Sequence, residues 1–144
     1  GLALADGFTR TGLAQWIASQ LTALQEVPTL LMLAAVALMM NFLTEVISNT
    51  AVATIFMPIL AATAVGMGFD PMALMMVGAI SASLAFMLPV ATPPNAVVFC
   101  SGCVRLPTMA RTGIVLNLMG VVLVLVILYT VAVPVFGIDP LVRE

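Results

Sequence analysis

The sequence predicts an all-α integral membrane protein built from a re-entrant helical hairpin, a discontinuous transmembrane helix and a terminal transmembrane helix. Three observations carry that prediction. Of 144 residues, 63% are apolar and 7% are charged, whereas a soluble domain carries about a quarter of its residues as charged ones. The charged residues stand far apart, and several gaps between them reach the roughly 20 helical residues that cross a hydrocarbon core of about 30 Å. Two of these apolar stretches hold helix-interrupting residues at their centres. The net charge is −2 and the four basic residues, all Arg, never cluster, which excludes a nucleic-acid partner. With no His and two Cys, little is left to build a transition-metal site.

Residues 1–27 mix Asp6, Arg10, Gln15 and Gln20 with Leu13, Trp16, Ile17 and Leu21. That spacing puts the apolar side chains on one helical face with Trp16 at headgroup level, so an interfacial connector helix or the tail of an earlier span is expected. The chain opens on Gly1 without a Met or a charged leader. This is read as the interior of a longer protein, and the chain as a fragment.

Residues 28–69 carry one charge, Glu45, in the polar stretch Asn41, Thr44, Glu45, Ser48, Asn49, Thr50. The apolar arms TLLMLAAVALMM and AVATIFMPILAATAV flank it. Arms of about 15 to 18 residues span about 22 to 27 Å at 1.5 Å per residue, short of the core thickness. A hairpin that dips in and returns, with Ser48-Asn49-Thr50 at its tip, is therefore preferred to two full crossings.

Residues 70–104 form one crossing that must break, because Pro89, Pro93 and Pro94 supply no N–H and push each preceding residue out of the α region. Residues 105–112 read as a short loop holding Arg105 and Arg111 with no acid, hence cytoplasmic. Asp70, Glu26 and Pro28 then fall on the outer side of what is expected to be the inner (plasma) membrane. Residues 113–137 form a plain terminal span with an anchoring role, and Asn117 within it is expected to make one interhelical hydrogen bond worth about 1 kcal/mol. Residues 138–144 are a tail.

Irregular backbone at membrane depth survives only inside protein or along a polar cavity, since each unpaired N–H or C=O in lipid costs several kcal/mol. Two such places are expected, over residues 44–50 and 88–95. In the second, Pro93 and Pro94 cannot donate to the carbonyls of Pro89 and Val90, which stay free for a cation such as Na⁺ or for water. Thr92 suits the N-cap of a half-helix starting near Asn95, whose N–H groups and positive dipole end favour an anion. Ser48 or Thr50 caps the returning arm of the hairpin in the same way. Asn49 offers an acceptor oxygen for a metal and donor hydrogens for a carboxylate. Paired broken helices at the midplane are the recurring solution of secondary transporters.

The strings FLTEVISNTAVATIFMPIL and FMLPVATPPNAVVF resemble the second half of the divalent anion–sodium symporter family, whose members take up dicarboxylates, citrate or sulfate. Ser48-Asn49-Thr50 is similar to the family's hairpin tip, and Ala91-Thr92-Pro93-Pro94-Asn95 to its broken-helix linker. The resemblance implies one half of an inverted-repeat, elevator-type transporter that works as a homodimer and binds membrane lipid. It implies a sodium site from Thr44, the Ile47 backbone, Asn49 and the Ala91 backbone, with Na⁺ as the bound ion. It also implies that Ser48, Asn49, Thr50 and Thr92 hold the substrate carboxylates. The first repeat of such a transporter is absent from these residues, so the chain alone is not expected to transport.

Other residues read more plainly. Glu45, a lone intramembrane acid, is open to two readings, a functional group or a protonated or Arg-paired structural one. Asn95 reads as a polar first-turn residue. Cys100 and Cys103 form a single C-x-x-C without further ligands and read as small apolar residues. The eleven Met residues fill irregular packing. An enzyme is not expected, for no nucleophile–base pair or paired carboxylates appear. The rivals to a sodium-coupled dicarboxylate symporter are a related transporter moving sulfate, arsenite or protons, and a non-transporting structural subunit.

Overall fold

The computed structural model describes residues 28–68 and 70–138. The connector expected over 1–27 and the tail beyond residue 138 lie outside them. All regular structure among the described residues is helical. Helix α1 runs over Thr29–Thr44 and α2 over Asn49–Gly66, and only the turn from Glu45 to Ser48 separates them. The expected first break is therefore observed, with its polar residues at the junction. Pro58 sits inside α2 without ending it.

Helix α3 spans Pro71–Ser81 and opens as sequence rules dictate: Pro71 presets φ in the first turn, and Asp70 Oδ1 accepts from the Met72 N–H at 2.8 Å. Its end is a surprise. The chain leaves helical geometry at Ala82 and returns only at Pro93, where α4, Pro93–Cys100, begins. The break expected over 88–95 thus starts several residues earlier, before any proline. The cause lies in tertiary partners for the backbone of residues 84–88, described below, which no local signal announces.

Helix α5 covers Leu106–Ile127, continues through one wide turn over Leu128–Ala132, and ends as α6, Val133–Phe136. The wide turn precedes Pro134, whose ring cannot sit against the carbonyl four residues back and whose missing N–H frees it. The loop expected over 105–112 is corrected here. Helix starts at Leu106, with Pro107 supplying the preset φ of a first turn. The continuous rod of 31 residues measures about 46 Å, longer than a core of about 30 Å. Arg111 lies in the second turn of this rod and is exposed.

Among the described residues two helices are long and apolar enough to cross a membrane, Asn49–Gly66 and Leu106–Phe136. The core gathers Leu33, Ala37 and Met40 of α1, Val52, Leu60 and Ala64 of α2, Leu74 and Val77 of α3, and Val121 and Val124 of α5. Helix α3 packs against α1, α2 and α5, whereas α4 buries none of its residues. The apolar residues Val115, Leu118, Met119, Val122 and Leu123 on α5 stay exposed, as suits a surface that meets lipid or another helix rather than water.

Candidate functional site

The two interruptions meet through one side chain. Glu45, the first residue after α1, is 3% exposed and turns its carboxylate onto the unwound segment between α3 and α4. Oε1 accepts from the N–H groups of Phe86 at 2.9 Å and Met87 at 3.0 Å, and Oε2 from those of Met87 at 3.2 Å and Leu88 at 3.0 Å. Asn117 of α5 donates its amide to Oε1 at 2.7 Å and accepts from the Phe86 N–H at 3.2 Å. Main-chain and amide N–H donors thus take the place of water around this carboxylate. Among the described residues its partners are these N–H groups and none is an arginine, which gives Glu45 a backbone-binding contact that neither expected reading included.

Amides hold the carbonyl side of the same segment. Asn41 of α1, fully buried, donates to the Leu84 carbonyl, and Asn95 of α4 donates to the carbonyls of Ala85 at 2.9 Å and Leu88 at 3.0 Å. Asn95 is thus a linker clamp, more than the polar first-turn residue expected. Helix α5 supplies the surface on which the linker lies. A Cβ on Gly113 would fall 2.5 Å from the Met87 Cα and the Phe86 carbonyl oxygen, and one on Gly120 would fall 3.0 Å from Leu84 Cδ1. Gly113, Asn117 and Gly120 follow one another at helical spacing, so one face of α5 is a seat for unwound backbone. The anchoring role expected for this helix understates it, and Asn117 makes two hydrogen bonds in place of one.

The residues expected to bind a cation are arranged with oxygens to spare. Among the described residues Asn49 Oδ1, like Asn41 Oδ1 and Ser81 Oγ, is enclosed without a hydrogen-bond partner, a situation that costs about 1–3 kcal/mol unless something donates to it or coordinates it. The Thr44 hydroxyl, buried, donates to the Asn41 carbonyl at 2.8 Å and keeps its lone pairs. The carbonyls of Ile47 and Ala91, and those of Pro89 and Val90, accept no backbone N–H among the described residues. Oxygen donors of this kind suit a hard cation such as Na⁺. No described group of three or more His, Cys, Asp or Glu offers the alternative of a transition-metal site.

The expected anion-binding residues stand at two helix starts. Ser48 occupies the N-cap of α2 and Thr92 that of α4, with Thr92 extended at φ −142° and ψ 151°. Neither side chain bonds to its helix, so the hydroxyls are not spent on capping as expected. The half-helix begins at Pro93, slightly earlier than the expected start near Asn95. Ser48 and Thr50 are exposed and Thr92 is partly buried. The structure brings the end of α1 to the linker at Phe86–Leu88. No hydrogen bond among the described residues joins Ser48, Asn49 or Thr50 to Ala91 or Thr92.

Sequence comparison agrees with this architecture. A family described as the sodium:sulfate symporter transmembrane region matches residues 1–138. The chain belongs to that family. Among the relatives of this chain is a sodium-dependent dicarboxylate transporter, SdcS, of Staphylococcus saprophyticus, 42% identical over 96% of the chain and 27% of the relative. Solute carrier family 13 member 2 of Mus musculus is 42% identical over 96% of the chain and 24% of its own length. The Na(+)/dicarboxylate cotransporter 3 of Rattus norvegicus is 43% identical over 94% and 23%. The chain therefore spans about a quarter of the length of the relatives it matches, less than the half that its motifs led us to expect.

Glu45, Asn41, Asn95 and Asn117 are the site residues that sequence reasoning missed or undervalued. The available signal was the same for all four: a polar side chain in an apolar stretch finds a partner or costs several kcal/mol. What the sequence withheld was the partner, because it is main chain distant in sequence.

Proposed function

We propose that this chain forms part of the binding site of a sodium-coupled symporter for dicarboxylates or related divalent anions. The carrying observation is the pair of interrupted helices drawn together by Glu45, with an unpartnered Asn49 oxygen and the unspent Ser48 hydroxyl at the hairpin turn and the unspent Thr92 hydroxyl at the start of α4. Relatives whose names carry sodium and dicarboxylate transport support the same reading. In it, sodium is a coupling ion held by Thr44, the Ile47 carbonyl, Asn49 and the Ala91 carbonyl. Substrate carboxylates take the hydroxyls of Ser48, Thr50 and Thr92, the Asn49 amide, the N-terminal N–H groups of α2 and the Asn95 N–H in the first turn of α4, where the helix dipole favours negative charge.

Coupling follows from electrostatics. Sodium neutralises the carbonyl ends that face the site, so a dianion binds more tightly once the cation is present, and by reciprocity the cation binds more tightly beside the dianion. The hairpin α1–α2 is taken as re-entrant, and the unit it forms with α3 to α5 as the moving part of an elevator-type homodimer whose other residues lie outside this chain. Loop residues before Leu106 and Arg111 face the cytoplasm in this topology.

Sodium-dependent succinate uptake by the full-length parent in proteoliposomes tests the proposal. Asn49→Ala raises the half-saturating concentrations of both sodium and succinate by roughly tenfold, the effect of about 1.4 kcal/mol at each ligand. Uptake that is the same with and without sodium refutes the symporter assignment.

A further inference from the structure

Glu45 approaches the linker from α1, but its position is shared with a residue of α5. Asn117 is fully buried, sits at the centre of the seat formed by Gly113 and Gly120, and touches both members of the contact: Glu45 Oε1 at 2.7 Å and the Phe86 N–H at 3.2 Å. From there a line of hydrogen bonds leads into the expected cation site. Glu45 Oε2 accepts from the Leu88 N–H at 3.0 Å, and the Leu88 carbonyl accepts from the Ala91 N–H at 3.2 Å and from Asn95 at 3.0 Å. Ala91 is the residue whose carbonyl is expected to face the cation. On the other side, Glu45 adjoins Thr44 and opens the turn that presents the Ile47 carbonyl.

We infer that Asn117, on the terminal helix and hydrogen-bonded to none of the expected ligands, is a positioning residue for the sodium site: it aims the Glu45 carboxylate at Phe86–Leu88, and so sets the tip and linker oxygens at one spacing. The inference rests on the sodium-coupled reading above. Asn is suited to the task because one side chain offers a donor to the carboxylate and an acceptor to the N–H beside it. An Asp there would set two carboxylates against each other, and an Ala would leave Phe86 and Glu45 with fewer bonds and a void beside the linker. Cation sites depend on such outer supports because a small displacement of one ligand weakens the whole set.

Two readouts on the purified full-length parent test this: sodium titration of succinate uptake in proteoliposomes, and the rise in melting temperature of the detergent-solubilised protein when NaCl replaces KCl. Asn117→Ala is expected to raise the half-saturating sodium concentration roughly fivefold or more while the maximal uptake rate stays within about twofold of wild type, and to shrink the sodium-specific rise in melting temperature. If Asn117 acts through Glu45, Asn117→Ala added to Glu45→Gln changes the sodium concentration dependence far less than it does alone, as coupled neighbours do. Asn117→Ser, which keeps a smaller donor and acceptor, is expected to fall between Ala and wild type. An unchanged sodium dependence with a lowered maximal rate, or full additivity with Glu45→Gln, overturns the inference and leaves the symporter reading intact. A variant too unstable to purify is replaced by Asn117→Ser, and a wild-type sodium response in that variant also overturns it. If the wild-type parent itself shows neither sodium-dependent uptake nor a sodium-specific rise in melting temperature, the functional reading fails with it.

Discussion

At the scale of single residues, one carboxylate governs the site by serving three backbone N–H groups and an amide. Removing it strands all of them: Glu45→Ala is expected to destabilise the parent by about 3 kcal/mol or more, since each hydrogen bond to a charged group contributes about 1.5–3 kcal/mol and its loss exposes an unpaired group in a dry interior. Thermal unfolding in detergent measures this, and a melting temperature within a degree of wild type contradicts it. Thr92→Ala is a different kind of change, because that hydroxyl bonds nothing in its own helix. It should leave stability nearly intact and raise the half-saturating succinate concentration more than that of sodium. An equal shift in both argues against dividing the ligands as proposed. The residue types of the site were legible in the sequence, for Ser-Asn-Thr and Thr-Pro-Pro are chemically distinctive in an apolar setting. The role of Glu45 was not, because its partners are main-chain groups 41 to 43 positions away, and main chain carries no sequence signal.

At the scale of elements, each helix begins or ends for an identifiable reason except one. Asp70 and Pro71 start α3, Pro93 starts α4 and Pro107 starts α5, although the sequence places the α4 start near Asn95 and a loop over 105–112. The end of α3 could not be read, since Ala82 to Leu88 contains no proline or glycine. That stretch unwinds because α1 and α5 offer its N–H and C=O groups better-placed partners than another helical turn would, with Gly113 leaving room for the main chain. Gly113→Ala therefore sets a methyl against backbone that has nowhere to go and is expected to cost about 1–3 kcal/mol, with sodium-dependent uptake falling sharply. Gly120→Ala meets only the end of the Leu84 side chain and should cost less. Comparing the two melting temperatures checks the order, and equal losses would contradict the seat described for the linker. The α5 boundary moved as well: its uncharged apolar length placed the terminal span at 113–137, but the helix starts at Leu106, with Pro107 in its first turn, inside the segment that Arg105 and Arg111 had marked as a loop.

At the scale of the whole molecule, the family membership and the broken-helix architecture rest on motifs that survive in a short stretch, while the extent of the parent does not show in them. A stretch that matches about a quarter of its relatives' length carries both of these interruptions because they belong to consecutive elements, so local sequence suffices to identify them. On the function proposed above, further transporter residues, a partner protomer and lipid complete the ligands and cover the outer surface. The α5 face bearing Val115, Met119 and Val122 is where such neighbours or lipid must sit. The central claim is that two interrupted helices, joined at Glu45, hold a cation and a dianion side by side. Its most direct test is a cryo-electron microscopy map of the full-length parent in NaCl and succinate. The account predicts density for an ion against Asn49 Oδ1 and the Ala91 carbonyl, succinate between the starts of α2 and α4, and non-helical chain from Ala82 to Thr92. A continuous helix through that stretch, or ligand density away from both helix starts, would contradict it.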